Sequence, residues 1–246
     1  MQIQFYYWST FLKRVLLTFA LVSSSGDLSA MAGGVRITNH GHSSLLIKGE
    51  GQSVLLNPFK AVGCAAGLKE PRLNVNVILA SSELADEGAR IAKGVFLVKP
   101  GSYRVNGLKL EGFTAPHDRF GGRRYGLATL WLWTQGGLRF AHLGGSAAPL
   151  TGEDKVLLGR PDVLIIAVGG GAKAYNGIEA ANVVRNLRPK RVIPVQYVRD
   201  QPSNDCDQTG LQPFLEAMKG TEVRKVGKTF YLRNILSDQT VINVPR

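Results

Sequence analysis

The sequence predicts an α/β fold in which two β-sheets pack face to face with helices on the outside. Three observations point there. The chain opens with short strands joined by tight turns, and later alternates apolar strands with helical stretches. The passage from antiparallel strands into a β-α-β succession occurs twice. Finally, no linker-like stretch separates the two occurrences, so residues 33–246 read as one domain of two similar halves.

From Val35 the chain reads as three strands, "VRITN", "SSLLIK" and "SVLLN", with turns at "HGH" and "KGEGQ". The third strand ends at Asn57-Pro58, and a glycine-punctuated loop carries Cys64 to Pro71. "VNVILA" is apolar enough for a buried strand, and the spacing from Glu83 to Lys93 predicts a helix ended by Gly94. "VFLVKPG" and "LKLEGFTA" are again strands. "LATLWLWT" and "LRFAHL" flank Gly136-Gly137, which marks a hairpin. "PDVLIIAV" is a continuous apolar strand followed by the flexible "GGGAKAYNG". Ile178 to Leu187 is a helix stopped before Pro189, and "RVIPVQY" is another buried strand. Leu211 to Lys219 makes a further helix, and "EVRKVG" and "TFYLRN" are the last strands.

Composition places the 246-residue chain among ordinary globular proteins, with 44% hydrophobic and 20% charged residues. The net charge of +12 favours an anionic partner, although a solvated basic surface explains it as simply. Residues 1–32 read as a secretory signal peptide. Lys13 and Arg14 precede the apolar "VLLTFALV", and Ala30-Met31-Ala32 provides an A-x-A cleavage site. The apolar run falls short of the ~20 residues that span a bilayer; an uncleaved N-terminal anchor, or an apolar start to a cytoplasmic protein, is the alternative. Export would place the remainder in a periplasm or a lumen, with no integral membrane segment after processing. Cys64 and Cys206 would then form a disulfide in an oxidising compartment or stay free thiols in a reducing one.

Four words in order carry a resemblance: "ITNHGHSSLLIKGEGQSVLLNPF", "HDRFGGRRYGLATLWLWTQGGLRFAHLGG", "PDVLIIAVGGG" and "EAANVVRNLRPKRVIPVQY". Together they resemble the metallo-β-lactamase superfamily, an αββα sandwich, and within it the Zn-dependent hydrolases that include ascorbate-6-phosphate lactonase-like proteins. "SSELADEGA" and "GGRRYG" are similar to a degenerate subgroup from oxygenic photosynthetic bacteria, which adds the thylakoid lumen as a destination. The resemblance implies two zinc ions held by H-x-H-x-D-H after the fourth strand, a later aspartate and a final histidine. Carried over by position, the motif histidines fall on Ser82, Leu84 and Glu87, and its aspartate on Asp86. The later ligands fall on Gly145, Gly171 and Gln196, and the aspartate of the family's Asp-Pro word on Asn57. Leucine and glycine side chains cannot ligate zinc. The sequence therefore implies no dinuclear site and no cofactor, with zinc conceivable only at a displaced site of Cys64, Cys206, His117 and Asp86.

Other residues retain chemistry. His40 and His42 form an H-x-H pair on one face of a strand end, and His42 matches the family's Gly-His-Ser turn. His117 and Asp118 match a family pair at the cleft edge, and Arg119, Arg123 and Arg124 follow, which would suit a bound carboxylate or phosphate. His142 reads as a satisfied core histidine. Backbone N–H groups of Gly169, Gly170 and Gly171 would cradle an anion or form a plain turn, with Lys173 and Tyr175 on the same loop. An active alternative, a lactonase- or phosphoesterase-type hydrolase with an unusual site, would use Ser82 as nucleophile with Glu87 or His117 as base, beside Asp86.

Three functions follow. The first is a hydrolase homologue without its metal site, binding a small anionic molecule or a protein partner through His42, His117, Asp118, Arg119, Arg123, Arg124, Gly170, Gly171 and Gln196. The second is the active hydrolase. The third, a nucleic-acid protein, is disfavoured by the export signal and by the lack of a basic and aromatic stripe.

Overall fold

Alternating burial explains why the chain folds into two stacked sheets. The structure, a computed structural model, describes residues 33–199 and 203–246. The leader expected in residues 1–32 lies outside the described residues.

The first sheet has six strands. β1 (Gly34–Gly41), β2 (Ser44–Gly49) and β3 (Gln52–Leu56) form an antiparallel meander, which β4 (Asn74–Leu79) and β5 (Lys93–Leu97) extend in parallel. The second sheet begins with β6 (Gly101–Val105), β7 (Leu108–Pro116), β8 (Leu127–Gln135) and β9 (Leu138–His142), which pair antiparallel. β10 (Val163–Ala167) and β11 (Arg191–Val195) then add in parallel, either side of α2 (Gly177–Leu187). α1 (Gly152–Leu158) precedes β10, and α3 (Gln212–Ala217) follows β11. β12 (Glu222–Val226) and β14 (Val241–Pro245) complete the second sheet, while β13 (Thr229–Arg233) crosses to the edge of the first beside β1. The strand orders are β13-β1-β2-β3-β4-β5 and β12-β14-β11-β10-β9-β8-β7-β6.

Period-2 alternation assigns each apolar side chain to a layer. Val35, Ile37, Ile47, Val54, Val77 and Leu79 of the first sheet meet Leu110, Trp131, Phe140, Ile165 and Ile193 of the second in one buried core. The intervening residues of the second sheet, Leu164, Ile166 and Val192 among them, pack on Ala180, Ala181, Val184 and Leu187 of α2 and Phe214 of α3. That second layer is why β10 and β11 are apolar at consecutive positions, as a strand covered on both faces must be. Asn176 caps α2 through the Ile178 and Glu179 amides, and Glu179 returns a bond to the Asn176 amide. Gly136 and Gly137, with φ of 62° and 72°, supply the two left-handed residues that the tight β8–β9 hairpin requires.

The αββα architecture holds, but the helix expected over Glu83 to Lys93 is absent. That stretch is a series of turns whose backbone groups pair with another loop. Lys60 N–H donates to Ala85 O at 2.7 Å and Ala89 N–H to Pro58 O at 2.8 Å. A helix would also point Glu87 along its own axis spacing, whereas the turn folds Glu87 inward. Gly88 permits this, because a Cβ there would overlap the Ser82 carbonyl. The two halves are consequently less alike than the sequence suggests: all three α-helices among the described residues follow β9, and only a single 3-10 turn, Gly63–Ala65, precedes it. β6, β14 and α1 carried no clear signal. β6 is largely exposed, and α1 has seven residues, set by a Thr151–Asp154 capping box.

The loop holding Cys64 reaches the one holding Cys206, and the two form a disulfide with Cα atoms 4.5 Å apart. Neither thiolate needed for the displaced zinc site is therefore present. No helix among the described residues is long and apolar enough to cross a membrane.

Candidate functional site

β3, β4, β7, β9, β10 and β11 end at one rim of the sandwich, and the residues just beyond their ends converge there. Asn57 follows β3, Ser81 and Ser82 follow β4, His117 follows β7, Gly144 and Gly145 follow β9, and Gln196 follows β11. Three of the non-glycine residues at this rim hold left-handed backbone, His42 (φ 49°), Asn57 (φ 38°) and Gln196 (φ 50°). Such conformations persist only where the surroundings enforce them. Here Gln196 N–H donates to His42 O at 3.0 Å, and Asn57 N–H to Leu79 O at 3.0 Å.

Asn57 stitches the first sheet together. Its amide donates to Ser81 Oγ at 2.9 Å and Ser43 Oγ at 3.3 Å, and its carbonyl oxygen accepts the Ser81 N–H at 2.8 Å. The amide thus donates to both hydroxyls, whereas a carboxylate at this position could only accept from them.

Glu87 is the centre of the rim and is fully buried. Its Oε1 accepts the Ser82 hydroxyl at 2.7 Å, and its Oε2 accepts the Gln196 amide at 3.2 Å. His117 Nε2 lies 2.7 Å from the same Oε1, off the line that an N–H···O bond prefers. Burial alone would raise the Glu87 pKa. The His117 contact and charge, then the Lys173 charge and the Ser82 hydroxyl, outweigh burial and bring it down to about 2. A carboxylate so held is a poor base near neutral pH. Ser82 and His117 meet the same carboxylate rather than each other, so no serine–histidine relay is assembled.

Asp86, the surviving residue of the ligand motif, is paired with a cation from its own chain. Lys173 Nζ donates to Asp86 Oδ1 at 2.6 Å and Oδ2 at 2.5 Å. His42 Nε2 stands 3.8 Å from Asp86 Oδ2. Burial leaves the His42 pKa below its ordinary value; Asp86 and then Glu87 oppose it, and Lys173 adds a smaller push in the same direction as burial. His142, also fully buried, is pushed down to about 4 by burial, with Glu87 opposing. Neither of its ring nitrogens has a hydrogen-bond partner among the described residues, so the satisfied core histidine read from the sequence is buried but unsatisfied.

Two positions that the resemblance assigns to zinc ligands, Gly145 and Gly171, have no room for a side chain. A Cβ on Gly145 would overlap Glu87 Oε2 and lie 2.7 Å from His117 Nε2. A Cβ on Gly171 would lie 2.6 Å from the Asp207 carboxylate. Among the described residues no group of three or more His, Cys, Asp and Glu side chains could hold a metal ion.

The arginine-rich segment is organised otherwise than expected. Asp118 accepts four backbone N–H bonds, from Phe120 (2.8 Å), Gly122 (3.1 Å), Arg124 (2.9 Å) and Tyr125 (2.7 Å). Burial raises its pKa, but those donors more than offset it and hold the carboxyl below its usual range. Arg119 forks onto Glu179 at 3.0 and 2.6 Å and also donates to Gly171 O and Ala174 O. Arg123 bonds Phe120 O, and the Arg124 guanidinium stands 5.2 Å from the Tyr125 ring centroid. His117, Arg119, Arg123 and Arg124 are thus not gathered round one anion. The Gly169 and Gly170 amides are likewise used, by Gln196 O and Tyr175 O. Gln196, His42, His117 and Glu87 do come together. Sequence reasoning placed Lys173 near the site without a role and missed Asp207, whose only signal was the neighbouring Cys206.

A family model described as a beta-lactamase superfamily domain matches residues 36–196. A protein assigned as a Zn-dependent hydrolase of the metallo-beta-lactamase superfamily from Thermotoga maritima superposes with a TM-score of 0.68 and 23% identity, covering 86% of this chain and 100% of its own. A metal-dependent hydrolase assigned in Parabacteroides distasonis gives 0.56 and 17%, covering 76% and 89%. An isothiocyanate hydrolase from Delia radicum gut bacteria gives 0.55 and 12%, covering 74% and 90%. At these identities the likeness is one of fold. No curated protein matches the sequence.

Proposed function

The chain belongs to the beta-lactamase superfamily, with the metallo-β-lactamase fold, and on that premise we propose that it is a hydrolase homologue without the dinuclear zinc site, binding a ligand or partner rather than turning over a substrate. One observation carries this reading: the Asp86 carboxylate, the last of the motif ligands, is taken by the Lys173 ammonium. The residues present do not fit two zinc ions. Leu84 offers no donor, the Gly145 side-chain space is filled by Glu87, and a fixed ammonium on Asp86 repels a cation. A positive charge is still balanced against the acidic rim, and Lys173 provides it without a metal.

The active alternative, through Ser82, is weakened by the same geometry, since the hydroxyl donates to a carboxylate too acidic to take its proton. The Cys64–Cys206 disulfide supports export to an oxidising compartment. Assays of lactone, carboxyl-ester and phosphodiester hydrolysis, each with and without added zinc, iron or manganese, test the proposal. The expected rates equal the buffer and metal blanks. Turnover more than about tenfold above the blanks, abolished by Asp86→Ala or Ser82→Ala, would overturn it.

A further inference from the structure

Asp207 fills a gap that the glycine loop leaves open. Gly170 and Gly171 both hold left-handed backbone, with φ of 78° and 79°, and this turns the Ala172 N–H toward the rim. Asp207 Oδ2 accepts that N–H at 2.8 Å, and its carboxylate fills the space over Gly171. One cation borders the same spot: Arg119, whose Nη1 donates to Gly171 O at 2.7 Å. The Arg119 pKa is raised first by Glu179 and also by the Asp207 charge. The seat thus offers an N–H donor, room above a glycine and positive potential, which are the elements of an oxyanion site.

The loop that bears Asp207 is held by other groups. Cys206 is tied to Cys64, Ser203 Oγ donates to Gly63 O at 2.7 Å, and Thr209 N–H donates to Gly169 O at 2.7 Å. The Asp207 side chain itself is at an exposed position and can leave without unseating the loop.

We propose that Gly171 and Ala172, with Arg119, form a seat for a small oxyanion, a phosphate or carboxylate group, which Asp207 occupies from within the chain. The inference rests on the metal-free reading of the rim. A ligand carrying such a group competes with Asp207, so the site is self-filled until the ligand's other contacts tip the balance.

Thermal melts of the full chain test this with inorganic phosphate, acetate and chloride at matched ionic strength, and with zinc chloride as a separate arm. For Asp207→Ala, phosphate or acetate raises Tm by about 2–4 °C at concentrations that leave the wild type unmoved, and chloride does not. The phosphate and acetate arms separate the two ligand sources. Asp207→Asn, which still fills the space, responds less. Asp207→Ser gives the same comparison if Asp207→Ala loosens the loop. An oxyanion response in Asp207→Ala no larger than the wild type's overturns the seat alone. A zinc-specific rise of either protein overturns the metal-free reading instead.

Discussion

Glu87→Ala is expected to destabilise the protein by about 3–5 kcal/mol, the range for removing one member of a buried charged network. Three groups lose their partner together: the Ser82 hydroxyl, the Gln196 amide and the His117 ring, all buried. A void also opens beside Gly145, since the lost carboxylate is what fills that space. Glu87→Gln keeps the volume and one acceptor and is expected to cost less than half as much. Urea unfolding of the two variants and the wild type reads both values. A loss below about 1 kcal/mol for Glu87→Ala would mean that water supports the rim and that Glu87 does not organise it.

Acid is expected to unfold the protein in two stages, both in the same direction. His142 titrates at about 4 in the folded chain against 6.5 when unfolded, because burial disfavours the charged ring. The unfolded chain therefore takes up a proton that the folded one refuses, and stability present above pH 6.5 is lost as pH falls through about 4. Glu87 titrates at about 2 against 4.5, so its contribution is present above 4.5 and lost as pH falls through about 2. Each transition is worth up to roughly 3 kcal/mol by linkage. Unfolding free energies measured from pH 7.5 to pH 3 should fall throughout, and His142→Gln should reduce the slope above pH 4.5, leaving the part that His40 and His42, also held below their ordinary value, contribute. Constant stability between pH 7 and pH 4.5 would contradict the neutral, buried His142.

Much of the fold was legible because apolar strands declare themselves. "VNVILA", "PDVLIIAV" and "RVIPVQY" are strands, and Gly136-Gly137 turns its hairpin. Glu83 to Lys93 was misread because its apolar spacing suits a helix. What decides its shape is tertiary, the pairing with Pro58 and Lys60 and the inward turn of Glu87. At the rim, the residues standing where the resemblance expects zinc ligands were readable by position, but their partners were not. Lys173 meets Asp86 across 87 positions of sequence, and Asp207 reaches Gly171 because a disulfide brings its loop there. Asp118 and Arg119 show the converse. Their types suggested an anion site beside His117, yet one carboxylate cages its own loop, and the guanidinium is held by Glu179 and turned toward the Gly171 carbonyl instead. Side-chain type alone could not distinguish a charge that waits for a ligand from one already satisfied.

The central claim is that the chain holds its acidic rim with Lys173 in place of metal. Elemental analysis of the full chain, produced with zinc, iron and manganese supplied and then dialysed, tests it most directly. The account predicts less than about 0.1 equivalent of any of the three. About one or two equivalents that survive dialysis and fall away in Asp86→Ala would contradict it.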